Sequence, residues 1–253
     1  MTRTLRYSDL RKWNLIAGFV HFLQFALILA LANGFALPVV ARYMSGPPGT
    51  TFAGPVTLFR IPVGIGVALF LGLSAFFHFY ISFGKNYARY SDGIEHHRNF
   101  YRWVEYSLSS SVMIILISMV CGISDISALL AIFGVNASMI FFGWLQEKYE
   151  EPGSGGLLPF TFGCIAGITP WLAILFYLFA IGGPGNTKAP GFVYGIVISL
   201  FLFFNSFAVV QLLQYKKIGR WKDYIVGERS YITLSLIAKS ALAWQIFAGT
   251  LVS

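Results

Sequence analysis

The 253-residue sequence predicts an all-α membrane protein, a bundle of seven transmembrane helices with a short β-hairpin in the first external loop. Three observations carry this. Hydrophobic residues make up 57% of the chain and charged residues only 11%, against about 25% charged in a soluble domain. Apolar runs of about 20 residues, the length that crosses a bilayer, recur seven times between breaks marked by charge, Gly and Pro. The basic residues then collect on alternate connections.

The seven runs are Trp13 to Ala32, Ile61 to Phe83, Phe100 to Cys121, Ile126 to Gln146, Leu157 to Ile181, Gly191 to Tyr215 and Ser230 to Leu251. The basic stretch before the first run resembles a signal peptide only in charge. The apolar run after it is too long for such a segment and no small-residue cleavage site follows, so it reads as the first span. Residues 33–60 form the one long external connection. Within it, Thr50 to Phe59 is rich in β-branched and aromatic residues between Gly and Pro breakers, which predicts the hairpin. With connections this short, residues 1–253 read as a single domain.

Topology follows from charge. The N-terminal segment and the connections after spans two, four and six hold Arg3, Arg6, Arg11 and Lys12, then Lys85, Arg89, Arg98 and Arg102, then Lys148, and finally Lys216, Lys217, Arg220, Lys222 and Arg229. The opposite side has only Arg42, Arg60 and Lys188. Fourteen against three predicts a cytoplasmic N-terminus and an extracellular C-terminus in the cell membrane. The net charge of +8 is therefore topological and lipid-facing, and implies no nucleic-acid partner. In span five, Gly163 and Gly167 form a pair of small residues that suits close helix approach, either between two copies or within one bundle. Cys121 and Cys164 lack partners at metal-ligand spacing and read as packing residues.

Two spans carry charge in their central parts, the third with Glu105 and the seventh with Lys239. A charge at the bilayer centre costs about 2.5 to 3.5 kcal/mol or more, so such a residue is a functional candidate by default. Lys239 lies nine residues after Ser230, about 13 Å deep at 1.5 Å per residue. One reading pairs it with Glu105 merely to join two spans; the other makes it an amine for imine formation with a carbonyl ligand, balanced by the same Glu105. His21 and His78 sit at similar depth. Singly each reads as a hydrogen-bonded core histidine, but with Glu105, Ser107, Ser109, Ser110 and Ser111 they form a polar cavity in the inner half that can hold a proton. His96 and His97, beside Glu95, read as solvated. No metal-ligand spacing, phosphate-binding glycine loop or Ser-His-Asp set occurs, so neither a metal site nor an enzyme is expected. The outer half has no second carboxylate, whereas a vectorial proton pump needs ionisable groups on both sides.

The runs Arg102-Trp-Val-Glu105-Tyr-Ser-Leu-Ser-Ser-Ser, Ile132-Phe-Gly-Val-Asn-Ala-Ser-Met139, Gly143-Trp-Leu-Gln-Glu-Lys148, Pro190-Gly-Phe-Val-Tyr194, Phe201-Leu-Phe-Phe-Asn205 and Ser235-Leu-Ile-Ala-Lys239-Ser-Ala-Leu-Ala-Trp244 resemble heliorhodopsins over nearly the whole chain. The resemblance implies a rhodopsin-like fold with all-trans retinal on a protonated Schiff base at Lys239, Glu105 as counterion, and a cytoplasmic N-terminus. It also implies a homodimer, and a photosensory role with a slow photocycle, no ion pumping and a cytoplasmic signalling partner the sequence leaves unknown. Ser235 stands where pumping relatives keep a second carboxylate, and His21 and His78 match positions tied to the polar cavity. Leu116 stands where a pump keeps its internal proton donor. By position and type, Tyr106, Ser109, Ser110, Met113, Asn136, Met139, Trp171 and Phe204 are the expected lining of the retinal pocket. The alternative function is a light-driven proton transporter or channel.

Overall fold

The computed structural model describes residues 3–181, 183 and 188–251. The side chains of Arg3 and Arg6, both counted in the charge asymmetry, lie outside the described residues. Among the described residues, seven helices are long and apolar enough to cross a membrane. Their order is α1 (Arg3–Leu31), a hairpin of β1 (Ala36–Ala41) and β2 (Val56–Pro62), α2 (Val63–Tyr80), α3 (Gly84–Glu95), α4 (Phe100–Val120), α5 (Ile126–Tyr149), α6 (Leu158–Leu178), α7 (Gly191–Tyr215) and α8 (Tyr224–Ile246). All but α3 are spans. A short 3-10 turn, Gly219–Lys222, precedes α8, and a π-helical turn, Phe247–Leu251, extends it.

The helix starts are encoded locally. Asn99, Asp125 and Asp223 cap α4, α5 and α8, each side chain accepting from a backbone N–H two or three residues on, which satisfies donors that a first turn leaves orphaned. Pro159 sits in the first turn of α6, where no hydrogen bond is lost. Pro170 lies inside the same helix and is buried, a break that neighbouring helices make tolerable in a span.

The expected hairpin is present in the first connection. Its second strand begins at Val56 rather than near Thr50, and its partner β1 carries Pro38, which argues against a strand by propensity. The register runs from Ala36 opposite Pro62 to Ala41 opposite Val56, with an irregularity at Val39/Val40. Val40 N–H also donates to the Ser124 carbonyl at 2.9 Å, which ties the hairpin to the α4–α5 turn. Two further boundaries move. The connection after α2 contains the amphipathic helix α3, whose Tyr90 and Ile94 are buried, and the last span starts at Tyr224 instead of Ser230.

The bundle has two ends, one bearing the hairpin and the other bearing α3. The main apolar cluster fills the hairpin half, with Phe70, Leu71, Ile114, Leu116, Ile174 and Leu242 among its fully buried members. A smaller cluster of Leu10, Ala17, Ile81, Tyr90, Ile94, Ile225 and Ile232 closes the α3 end. In lipid, packing rather than water exclusion holds helices together, and glycine permits it. Gly143 of α5 lies directly under the Trp103 ring of α4. Gly163 and Gly167 face Phe142 and Met139 of α5 in the same chain, so this pair is used inside the bundle.

Candidate functional site

Lys239 is 4% exposed and Glu105 5%. The Lys239 ammonium Nζ donates to Glu105 Oε1 at 2.6 Å, bridging α8 and α4. Ser74 of α2 donates to the same carboxylate oxygen at 2.7 Å, and Nζ stands 5.1 Å from the Tyr106 ring centre. Three helices thus hold one carboxylate against one amine. Both side chains are buried in the bundle, so each charge depends on the other for its ionised state.

A narrow cavity of about 80 Å³ begins at this amine. Tyr106, Ser109, Ser110, Met113, Met139, Phe204, Ser235 and Lys239, all expected there, line it. Trp103, Ile140, Phe207, Tyr231 and Ala238 complete the wall and were not anticipated. Trp171 sits farther along, edge-on to Phe204 at 5.4 Å between ring centres. It lines an adjoining space of about 120 Å³, which shares Met139 and Phe204 with the first. Asn136 lies one layer back, where its amide donates to Ser110 Oγ at 2.9 Å and Ser111 Oγ at 3.0 Å. The Ser109 and Ser235 hydroxyls are buried with no hydrogen-bond partner. The arrangement is therefore an apolar slot with a paired amine at one end and two spare hydroxyls.

On the α3 side of the pair, the His21 and His78 rings stack at 5.7 Å. Asn14 directs the second ring. Its amide donates to the Leu10 carbonyl at 2.9 Å and to Tyr90 OH at 3.3 Å, which turns its carbonyl oxygen toward His78 Nδ1 at 2.8 Å. Nδ1 must then carry the hydrogen, leaving Nε2 with a lone pair that can accept a proton. Both ring nitrogens of His21 are buried without a partner. Of the polar cavity expected from His21, His78, Glu105, Ser107, Ser109, Ser110 and Ser111, the structure brings His78 and Glu105 around one small space with Asn14, His21 stacking on His78 and Ser74 bonding Glu105, whereas Ser109 and Ser110 line the Lys239 slot, Ser111 meets Asn136 and Ser107 donates to the Val104 carbonyl. By contrast, His96 and His97 are exposed.

Beyond it lies a cluster the sequence reading missed. The Arg102 guanidinium pairs with both Glu147 of α5 and Glu228 of α8, and all three side chains are at most 5% exposed. Asn99 supplies its backbone N–H to Glu147 at 2.5 Å and its amide to Glu228 at 2.7 Å. Glu147 also accepts from Trp103 Nε1 at 2.9 Å and from the Tyr224 hydroxyl at 3.2 Å. The guanidinium is also sandwiched between the rings of Trp103 and Tyr231, 4.5 and 4.2 Å away. A small cavity, of about 30 Å³, is lined by Glu105, His78, Arg102 and Glu228 and so joins the two sites. The signal that could have found this cluster is the Asp223 cap, which extends the last helix upstream to include Glu228.

No curated protein matches the chain. Among solved structures, it is similar to the transmembrane domain of a rhodopsin phosphodiesterase from Salpingoeca rosetta, with a TM-score of 0.69 and 13% identity over 97% of this chain and 85% of that one. It is also similar to cyanorhodopsin from the cyanobacterium Tolypothrix, with a TM-score of 0.67 and 11% identity over 99% and 96%. Xanthorhodopsin, a light-driven ion pump with dual chromophore, gives a TM-score of 0.64 and 14% identity over 98% and 94%. At these identities the likeness establishes a shared seven-helix rhodopsin fold. The heliorhodopsin profile matches residues 10–251, and the chain belongs to the heliorhodopsin family.

Proposed function

We propose that this single seven-helix unit is a light-sensing receptor that holds all-trans retinal as a protonated imine on Lys239, with Glu105 as counterion. The observation that carries the reading is the 2.6 Å pair of Lys239 and Glu105 at the head of an apolar slot. The residues fit such a group. The slot offers a reactive amine at one end, a carboxylate to balance an iminium, and ring faces of Tyr106, Phe204 and Trp171 along its length. Bound there, the polyene supplies visible absorption and a light-driven change of shape.

The chain's own residues do the rest. Glu105, held by Ser74, keeps positive charge at Nζ favourable in a buried site. Ser235, one turn before Lys239, offers a hydroxyl where a second carboxylate would compete. His78 Nε2 and the His21 ring receive a proton leaving Nζ, on the α3 side only. In the hairpin half, Leu116 is buried in the apolar cluster, so no relay continues to the other surface. This supports a slow photocycle without ion pumping. The ion-pump activity named for xanthorhodopsin and the phosphodiesterase named for the Salpingoeca rosetta protein belong to those chains, and we propose neither activity here. The charge asymmetry supports a cytoplasmic α3 end, where a signalling partner would be met. Homodimerisation is part of the proposal and rests on the family alone.

The test is an absorption spectrum of the purified chain after retinal addition, in darkness and under illumination. A visible band that changes with light and is absent in Lys239→Ala is expected. A colourless wild type refutes the reading. Glu105→Gln should shift the band to the red, because a neutral amide stabilises the ground-state cation less; an unmoved band removes Glu105 from the counterion role. A light-induced pH change or photocurrent in cells would establish the transporter alternative.

A further inference from the structure

A cleft of about 540 Å³ lies at the α3 end, where the connections after α3, α5 and α7 meet the start of α8. Its volume lies within the usual range for small-molecule sites, about 300 to 1,000 Å³. Arg98, Lys148, Lys217 and Lys222 border it, and no ion pair involves any of them among the described residues. Two uncommitted donors border it as well. Gln214, 6% exposed, has an amide nitrogen with no partner, and the buried Trp221 indole N–H has none. An indole N–H can only donate, so whatever satisfies it must bring an acceptor.

The acidic groups do not offset this set. Glu147 at the floor is held by Arg102 and Tyr224. Glu150 folds its carboxylate against Gly156 of the following loop, so that Glu150 and Glu151 are the two carboxylates set against the four cations of the cleft. Lys217 lies across Gly153, whose φ of +89° suits glycine and leaves the ammonium's path open. Flat surfaces are at hand in Trp221 and in the stacked pair of His97 and Tyr224, 5.1 Å between ring centres. Cations, orphan donors and ring faces around one cavity are the recognition chemistry of a phosphate ester that carries an aromatic ring.

We infer that this cleft is a binding site for a soluble, multiply charged phosphate ester of nucleotide size. The inference stands on the cleft alone and does not depend on what Lys239 holds, so the assay reads binding and not colour. The full chain, in nanodiscs of zwitterionic phosphatidylcholine, is titrated with radiolabelled ATP and with pyrophosphate by equilibrium dialysis. Saturable binding of ATP with a stoichiometry of one is expected, with pyrophosphate weaker because it lacks a ring. The double variant R98A/K217A should weaken ATP about tenfold or more, as loss of charged hydrogen bonds does. K85A/R89A, on α3 outside the cleft, should leave it unchanged. Absence of saturable binding overturns the inference. So does equal loss in both double variants, which marks mere surface charge, and so does protection of the cleft only by nanodiscs containing anionic phospholipid, which marks a lipid headgroup. A correctly folded R98A/K217A is recognised by an unchanged thermal midpoint.

Discussion

The two halves of the bundle on either side of Lys239 are built on opposite principles. Toward the hairpin, buried side chains are almost all apolar, and Leu116, Ile117 and Ile174 pack at 0 to 1% exposure. Toward α3, the buried set includes Asn14, His21, Asn99, Arg102, Glu147 and Glu228, with His78 half-buried beside them, nearly all tied by hydrogen bonds. A span holds together with apolar packing alone, so the polar half is the part that stability does not require. Such groups persist in membranes where they mark pathways for charge. On the proposed function, the contrast would give a proton released from the Lys239 nitrogen polar acceptors on the α3 side.

Breaking the polar half should cost most. Arg102→Ala leaves Glu147 and Glu228 buried without their cation, a loss of about 3 to 5 kcal/mol, read as a lower midpoint of thermal unfolding in detergent. A midpoint within a degree or two of wild type would mean that the cluster is solvated and the two halves are less different than described. The apolar half should respond to volume and little else. Ile114→Val removes one methylene from a fully buried position, for about 0.5 to 1.5 kcal/mol, with the visible band unmoved; a shifted band would extend the responsive region into that half. The smallest effect concerns Cys121 at the end of α4, whose thiol burial pushes up to about 12. In a Cys164→Ser background its alkylation should be slow at pH 8 and still rising at pH 10, because the thiolate becomes abundant only as pH approaches the raised value. A rate that levels off near pH 9 would show an ordinary, solvated thiol.

The same contrast governs what could be read from the sequence. Lys239 and Glu105 were legible because charge in the middle of an apolar run has no cheap explanation. Glu147 and Glu228 stand at the ends of such runs, where a carboxylate is inexpensive if it reaches water, and hydropathy cannot distinguish a buried helix end from a solvated one. Arg102 was visible but was counted toward topology instead of being paired. Tyr231 and Phe207 line the slot through the rotation of their helices about their axes, which nearly featureless apolar periodicity in α7 and α8 does not specify. The strand at Ala36 was hidden by Pro38, and α3 by its brevity and mixed composition. The serines of α4 read as one group in the sequence, yet their surroundings depend on neighbours: Ser110 is tied to Tyr106 and Asn136, while Ser109 is left with a spare hydroxyl.

The central claim is that the Lys239 nitrogen is joined covalently to retinal and carries a proton opposite Glu105. Resonance Raman spectroscopy of the retinal-supplied protein reads that bond directly, through its C=N stretch. The account predicts a band that moves to lower frequency when the lysines are labelled with nitrogen-15, and again when the sample is exchanged into heavy water. A visible band whose C=N region is insensitive to the lysine label would contradict it.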